Sequence, residues 1–217
     1  MYISHKKERR YKAILFDFDG VLGETMEDNY RAWQYALSKY DMNIDKTEYF
    51  LLEGMSTKEI AAYYLRQRAK SLELIDTIVE LKEKYYMRNN EFRIYSGVEQ
   101  LLLSLIEKGY LLGIVSGVSY ARLCRSMSHE LLNEFNVVVT GNGDGKCKPH
   151  PEPYLSAARK LGVKPFDCLV IENSPLGIES AVKAGMDCVA ICSTLNRKYL
   201  EKADYVIGNV VDIVKLL

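Results

Sequence analysis

The chain of 217 residues has no surplus of charge: Lys plus Arg and Asp plus Glu each total 29, a formal net charge of zero. Without a global field, nothing draws it to nucleic acid or an anionic membrane surface, so any recognition of phosphate has to be local. Histidine is scarce. His5, His129 and His150 are the three, far apart in sequence, which leaves little from which to build a histidine-ligated metal site or a serine hydrolase triad, and there is no nucleophile elbow. The five cysteines, Cys124, Cys147, Cys168, Cys188 and Cys192, are odd in number and include no Cys-x-x-Cys pair. That argues against a disulfide framework or a structural zinc site. Cys188 and Cys192 share strand parity in an apolar run and read as core. Cys147, between Lys146 and Lys148, reads as a bystander whose thiol the lysines acidify somewhat. No apolar stretch is long enough to span a bilayer, and the basic, polar start from Met1 to Arg10 lacks signal-peptide character. These absences point to a soluble cytoplasmic protein, with neither membrane nor nucleic acid as a partner.

What is present starts at Lys12-Ala13-Ile14-Leu15-Phe16-Asp17-Phe18-Asp19-Gly20-Val21. A short apolar run, readable as a buried strand, ends in two carboxylates spaced i, i+2 and a glycine. Burying an ionised carboxylate is costly unless a cation or several donors meet it, so the pair suggests a bound metal or an acid and nucleophile. An Asx-type turn completed by Gly20 accounts for the same residues. From residue 97 onward helical and strand patterns alternate. A helix ending at Gly109 precedes a strand at 111–115, a helix over 121–132 precedes a strand at 137–139, and a helix from near Pro151 to Gly162 precedes a strand at 168–171. Ser174 as N-cap and Pro175 at the first helical position open another helix, with Ile178, Ala181 and Val182 on its buried face; strands at 188–191 and 205–207 follow. Between strands 137–139 and 168–171 lies a glycine-rich loop over 141–145. Such alternation implies parallel strands joined by right-handed crossovers, hence a doubly wound α/β sheet, Rossmann-like, with ligands at the carboxyl ends of its strands.

Residues 24–92 break this rhythm and read as consecutive helices with no strand, an inserted all-helical unit. The core is then formed by 1–23 and 93–217. The insertion is rich in tyrosine, including Tyr30, Tyr35, Tyr63, Tyr64, Tyr85 and Tyr86, whose helical spacing reads as the core of a small bundle. Arg66, Arg68 and Lys70 read as a solvated face.

Four segments now fall at strand ends in chain order: Asp17-Phe18-Asp19-Gly20, Ser116-Gly117, Lys148-Pro149 and Glu172-Asn173. With these segments around a helical insertion, the chain resembles the haloacid dehalogenase superfamily of aspartate-nucleophile phosphatases, in its β-phosphoglucomutase and phosphoglycolate phosphatase-like branch. The resemblance implies an HAD-like core, a helical cap at 24–92, and a set of roles. Asp17 is implied as nucleophile, forming an aspartyl-phosphate. Asp19 is implied as general acid and then base, with its main-chain carbonyl a metal ligand. Ser116 and the backbone from Gly117 are implied to bind the phosphoryl oxygens, and Lys148 to pair with nucleophile and phosphoryl group. Glu172 and Asn173, with Asp17, are implied to hold Mg2+. The implied partner is a small phosphorylated metabolite, a sugar phosphate or a phosphoglycolate-like acid, bound by a monomer or small homo-oligomer.

The chain departs from these relatives in three places. After the first segment they commonly read Asp-Ser/Thr with a histidine a few residues later, where this chain has Glu24-Thr25 and then Asn29. Their fourth segment usually carries two acids, whereas Asn173 is neutral. In β-phosphoglucomutases the cap reads Gly-x-Ser-Arg and the arginine holds the phosphate that is not transferred; here the stretch is Gly54-Met55-Ser56-Thr57. A mutase needs a cation at that second site, which Thr57 cannot supply and Lys58 could supply only by a different geometry. The reading is therefore a phosphatase, with a sugar-phosphate mutase and a non-catalytic scaffold as alternatives. Gly54, Thr57, Lys58 and the neighbourhood of Asn29 are the candidates for substrate contact.

Overall fold

The structure, a computed structural model, describes residues 11–141 and 146–217. The basic start and most of the glycine-rich loop lie outside the described residues. Six strands form one parallel sheet: β1 (Ala13–Phe16), β2 (Leu111–Val115), β3 (Val137–Val139), β4 (Cys168–Glu172), β5 (Asp187–Ile191) and β6 (Tyr205–Ile207), in the order β3-β2-β1-β4-β5-β6. The four residues of β1 are fully buried, as a central strand covered on both faces requires. Chain direction across the sheet reverses at β1, and the crevice above the carboxyl ends of β1, β2 and β4 is where such sheets bind ligands.

The insertion contributes α1 (Met26–Ser38), α2 (Lys46–Leu51), α3 (Thr57–Gln67) and α4 (Ile75–Asn89), with α1 packed along α4. The chain leaves and re-enters the core on two adjacent segments. Glu24 N donates to Arg93 O at 2.8 Å, Tyr95 N donates to Leu22 O at 3.0 Å, and Phe18 stacks on Phe92 with centroids 5.8 Å apart. Of the tyrosines, Tyr64 and Tyr86 are buried while Tyr35 stands partly in solvent, stacked on Tyr85.

The core helices are α5 (Val98–Glu107), α6 (Tyr120–Ser126), α7 (His129–Asn133), α8 (Glu152–Leu161) and α9 (Pro175–Lys183). The single helix expected over 121–132 is two. Met127 turns to extended backbone, and the Ser128 hydroxyl caps the next helix by accepting from Leu131 N; serine competes for backbone donors in this way and favours a cap over a helix interior. Ser174 caps α9 as expected, accepting from Gly177 N at 3.1 Å. Val182, expected on the buried face of α9, is 51% exposed, whereas Ile178 and Ala181 are buried. Cys188 is buried in β5, but Cys192 lies past the strand end and is exposed. No described helix is long and apolar enough to cross a membrane.

Candidate active site

Sheet register brings the chemistry together. Phe16 aligns with Ile114 on β2 and Ile171 on β4, so the next residues, Asp17, Val115 and Glu172, lie side by side on three adjacent strands. The ammonium of Lys148, from the loop before α8, sits over all three. It donates to Asp17 Oδ1 at 2.6 Å, to Glu172 Oε1 at 2.6 Å and to the Val115 carbonyl at 3.0 Å. The three side chains are nearly inaccessible to water. Burial pushes the Asp17 carboxyl well above the ordinary carboxylate range, with Lys148 opposing. The two carboxylates hold Lys148 protonated, above the usual lysine value, against its own loss of solvent.

Glu172 is fully occupied. Oε1 also accepts from Tyr154 OH at 2.7 Å, and Oε2 accepts from the amides of Asn173 and Ser174 and from the Ser174 hydroxyl at 3.0–3.3 Å. Its neighbour is the opposite case. Asn173 Nδ2 donates to Thr194 Oγ1 at 2.7 Å, while Asn173 Oδ1 is buried with no hydrogen-bond partner among the described residues. Gly20 makes room for this side chain: its φ is +81°, and a Cβ there would come within 2.1 Å of Asn173 Nδ2. An unspent buried oxygen is costly unless something accepts its lone pairs. With Asp17 it forms a donor set suited to a hard cation such as Mg2+, low in ligand charge. Among the described residues no group of three or more His, Cys, Asp or Glu could hold a metal, and Glu172, expected as a ligand, has both oxygens engaged by protein donors, so such an ion would rest on Asp17, the Asn173 amide oxygen and main-chain carbonyls.

Asp19 points away from Lys148. Its Oδ1 accepts a short bond from Thr25 Oγ1, one from Asn29 Nδ2 at 3.2 Å and one from Arg122 Nη2 at 2.8 Å. Arg122 comes from α6, its guanidinium lies 4.0 Å from the centroid of the Tyr86 ring, and its Nε is buried without a partner among the described residues. Behind Asn29, the buried Lys82 of α4 donates to Asn29 Oδ1 and Glu83 Oε1, each at 2.9 Å. Burial, reinforced by Arg122, lowers the Lys82 ammonium below the usual lysine value. Asp19, Asn29, Lys82, Glu83 and Arg122 bound a cavity of about 240 Å3 between insertion and core, also lined by Trp33, Tyr49, Glu53 and Thr57. Loss of water, aided by the nearby Asp19 charge, pushes the Glu53 carboxyl up to about 7.

Ser116 and Gly117 follow β2 and, with Lys148 and Gly54, line an adjoining cavity of about 360 Å3. Gly54 (φ +103°) lies close enough to the core that a Cβ would sit 3.1 Å from Lys148 Cβ. Thr57 reaches the smaller cavity. Lys58 does not line it: it is exposed and paired with Asp76 at 2.8 Å. Cys147 is not acidified; partial burial pushes its thiol up. Sequence reasoning missed Thr25, Glu53, Lys82, Arg122 and Tyr154. Tyr154 falls in the helix expected from near Pro151 to Gly162, and nothing local to that helix links its hydroxyl to Glu172, 18 residues on.

Comparison with known proteins agrees with this architecture. A profile of the haloacid dehalogenase-like hydrolases matches residues 14–191. The chain is 27% identical to the β-phosphoglucomutase of Bacillus subtilis over 191 residues, covering 83% of each chain. It is 28% identical to the fructose-1-phosphate phosphatase of Escherichia coli over 187 residues, 84% of this chain and 97% of that one. The crystal structure of CbbY from Rhodobacter sphaeroides in complex with phosphate superposes with a TM-score of 0.79 at 28% identity, covering 94% of this chain and 96% of that one. With the matched profile spanning most of its length and a helical insertion set into a six-stranded parallel sheet, the chain belongs to the haloacid dehalogenase-like hydrolase family.

Proposed function

We propose that this hydrolase is a Mg2+-dependent phosphatase of small phosphorylated metabolites, working through an aspartyl-phosphate on Asp17. The observation that carries the reading is the Lys148 ammonium shared by Asp17 and Glu172 at 2.6 Å each. A buried cation beside the nucleophile orients its carboxylate and meets the charge that develops on the phosphoryl oxygens. Glu172, whose oxygens are all taken by protein donors, positions Lys148. When bound, Mg2+ supplies further neutralisation of the phosphoryl group, held by Asp17, Asn173 Oδ1 and the Asp19 carbonyl. Asp19 gives a proton to the leaving oxygen and then takes one from water. With Oδ1 committed to Thr25, Asn29 and Arg122, Oδ2 is the proton carrier. Ser116 and the Gly117 backbone bind phosphoryl oxygens.

Hydrolysis is favoured over mutase chemistry because Thr57 lines the cavity while Lys58 pairs with Asp76 outside it, and Lys82, the cap cation among the described residues lining the cavity, is already matched by Glu83. The direct test is turnover of p-nitrophenyl phosphate with and without Mg2+. Metal-dependent release of phosphate supports the reading, and a scaffold without catalysis gives none.

A further inference from the structure

The 240 Å3 cavity beside Asp19 is built from charged groups that largely cancel. Arg122 faces Asp19 at 2.8 Å and Lys82 faces Glu83 at 2.9 Å, so each cation already has its carboxylate. Glu53 adds a third carboxyl. It accepts from Tyr49 OH at 3.1 Å, and among the described residues no cation lies within ion-pairing distance of it. Among the described residues, the walls therefore carry no unmatched positive charge with which to attract a second anionic group. What they offer is hydrogen bonding: an acceptor at Glu53 and the Lys82 ammonium, whose three protons outnumber its bonds to Asn29 and Glu83. Trp33 and Tyr49, both buried, supply apolar ring surface beside these groups.

This combination suits a neutral chain of hydroxyl-bearing carbons. A hydroxyl donates to a carboxylate and accepts from an ammonium at once, and its C–H faces pack on rings. A carboxylate or second phosphate at the same place would have to share the cavity with Asp19, Glu53 and Glu83. Resting on the phosphatase reading, we infer that this cavity is a hydroxyl-recognition subsite, in which Glu53 and Lys82 select the polyol portion of a monophosphate and disfavour leaving groups with a second anion.

The experiment uses the intact chain with Mg2+. Turnover of p-nitrophenyl phosphate tests the hydrolase reading alone; its absence overturns that reading and the subsite with it. A panel then compares β-glucose 1-phosphate and fructose 1-phosphate with phosphoglycolate and fructose 1,6-bisphosphate. The expected result is that kcat/KM for at least one sugar monophosphate exceeds that for both doubly anionic substrates by about tenfold or more. Glu53→Lys should shrink that ratio about tenfold, mainly by raising KM for the sugar monophosphate, and Lys82→Met should raise the same KM. Preference for the doubly anionic substrates by the unmodified enzyme, or a ratio unmoved in Glu53→Lys with normal circular dichroism, overturns the subsite while leaving the phosphatase standing. If Glu53→Lys does not fold, the ratio is read in Glu53→Gln, with the same two outcomes.

Discussion

Arg122 and Asp19, separated by 103 residues, form an ion pair of 2.8 Å in which both side chains are almost wholly buried. The pair joins a core helix to the loop after β1, and Tyr86 of the insertion covers the guanidinium. Arg122→Met leaves the Asp19 carboxylate without its cation in a dry site, so we expect a loss of about 3–5 kcal/mol in stability, read by urea unfolding. Asp19→Asn in the same chain should restore much of that loss. If the two losses simply add, the ion pair is not the coupling element.

Asp17→Asn should abolish turnover, lowering kcat by about a thousandfold or more, because the amide cannot attack phosphorus. The fold should survive, since Lys148 keeps Glu172 and the Val115 carbonyl as acceptors. Rates and near-ultraviolet circular dichroism measured together check both halves. Retention of an appreciable part of the rate would rule out a covalent intermediate on this residue.

Asn173→Asp should lower the Mg2+ concentration for half-maximal activity by roughly threefold or more, because ligand charge sets affinity for hard cations. The Thr194 hydroxyl, which accepts from Asn173 Nδ2, can turn to donate to the new carboxylate. KM for the phosphate substrate should rise as the site becomes more negative. A Mg2+ titration in which the midpoint stays where it was would remove residue 173 from the metal.

Glu53 gives a pH signature in stability. Its carboxyl titrates near 4.5 when unfolded and is pushed up to about 7 in the folded protein, so between these values the folded state holds more protons. Its contribution is fully present below about 4.5 and is lost as pH rises through about 7. Glu53→Gln should flatten that decline, raising Tm at pH 8 relative to the parent more than at pH 4.5. Thermal melts across this range decide it, and parallel curves for the two proteins would contradict the assignment.

With β-glucose 1-phosphate and a trace of its bisphosphate, the enzyme should release inorganic phosphate or leave the sugar unchanged. Glucose 6-phosphate formed well above background in a coupled dehydrogenase assay would mean that a cation other than Lys58 holds the second phosphate.

The sheet was legible because each strand is a short apolar run closed by turn residues. The spans predicted at 111–115, 137–139 and 205–207 coincide with β2, β3 and β6. The break between α6 and α7 was hidden because Leu123, Leu131 and Leu132 keep apolar helical spacing across it, and only the Ser128 cap reveals it. At the site, Asp17, Glu172 and Asn173 stand together because parallel register brings neighbouring strand ends side by side, and Lys148 reaches them from the loop before α8. The shell around Asp19 was illegible for a different reason. Arg122 and Lys82 sit in helices whose local pattern gives no sign of burial, and their partners lie 103 and 53 residues away. Glu53 gave no signal at all, since a lone glutamate before a glycine reads as a turn.

The ammonium of Lys148 ties together three strands as well as a nucleophile. Removing it would strand two buried carboxylates at the carboxyl end of the sheet, so selection for a stable fold alone is enough to keep this lysine. A descendant that lost catalysis would still carry Lys148 and Glu172. The buried pair of Asp19 and Arg122 would be kept on the same ground. Decay would show first at Asn173, whose side-chain oxygen is buried without a partner among the described residues, making that residue the better marker for telling working enzymes from silent copies of this architecture.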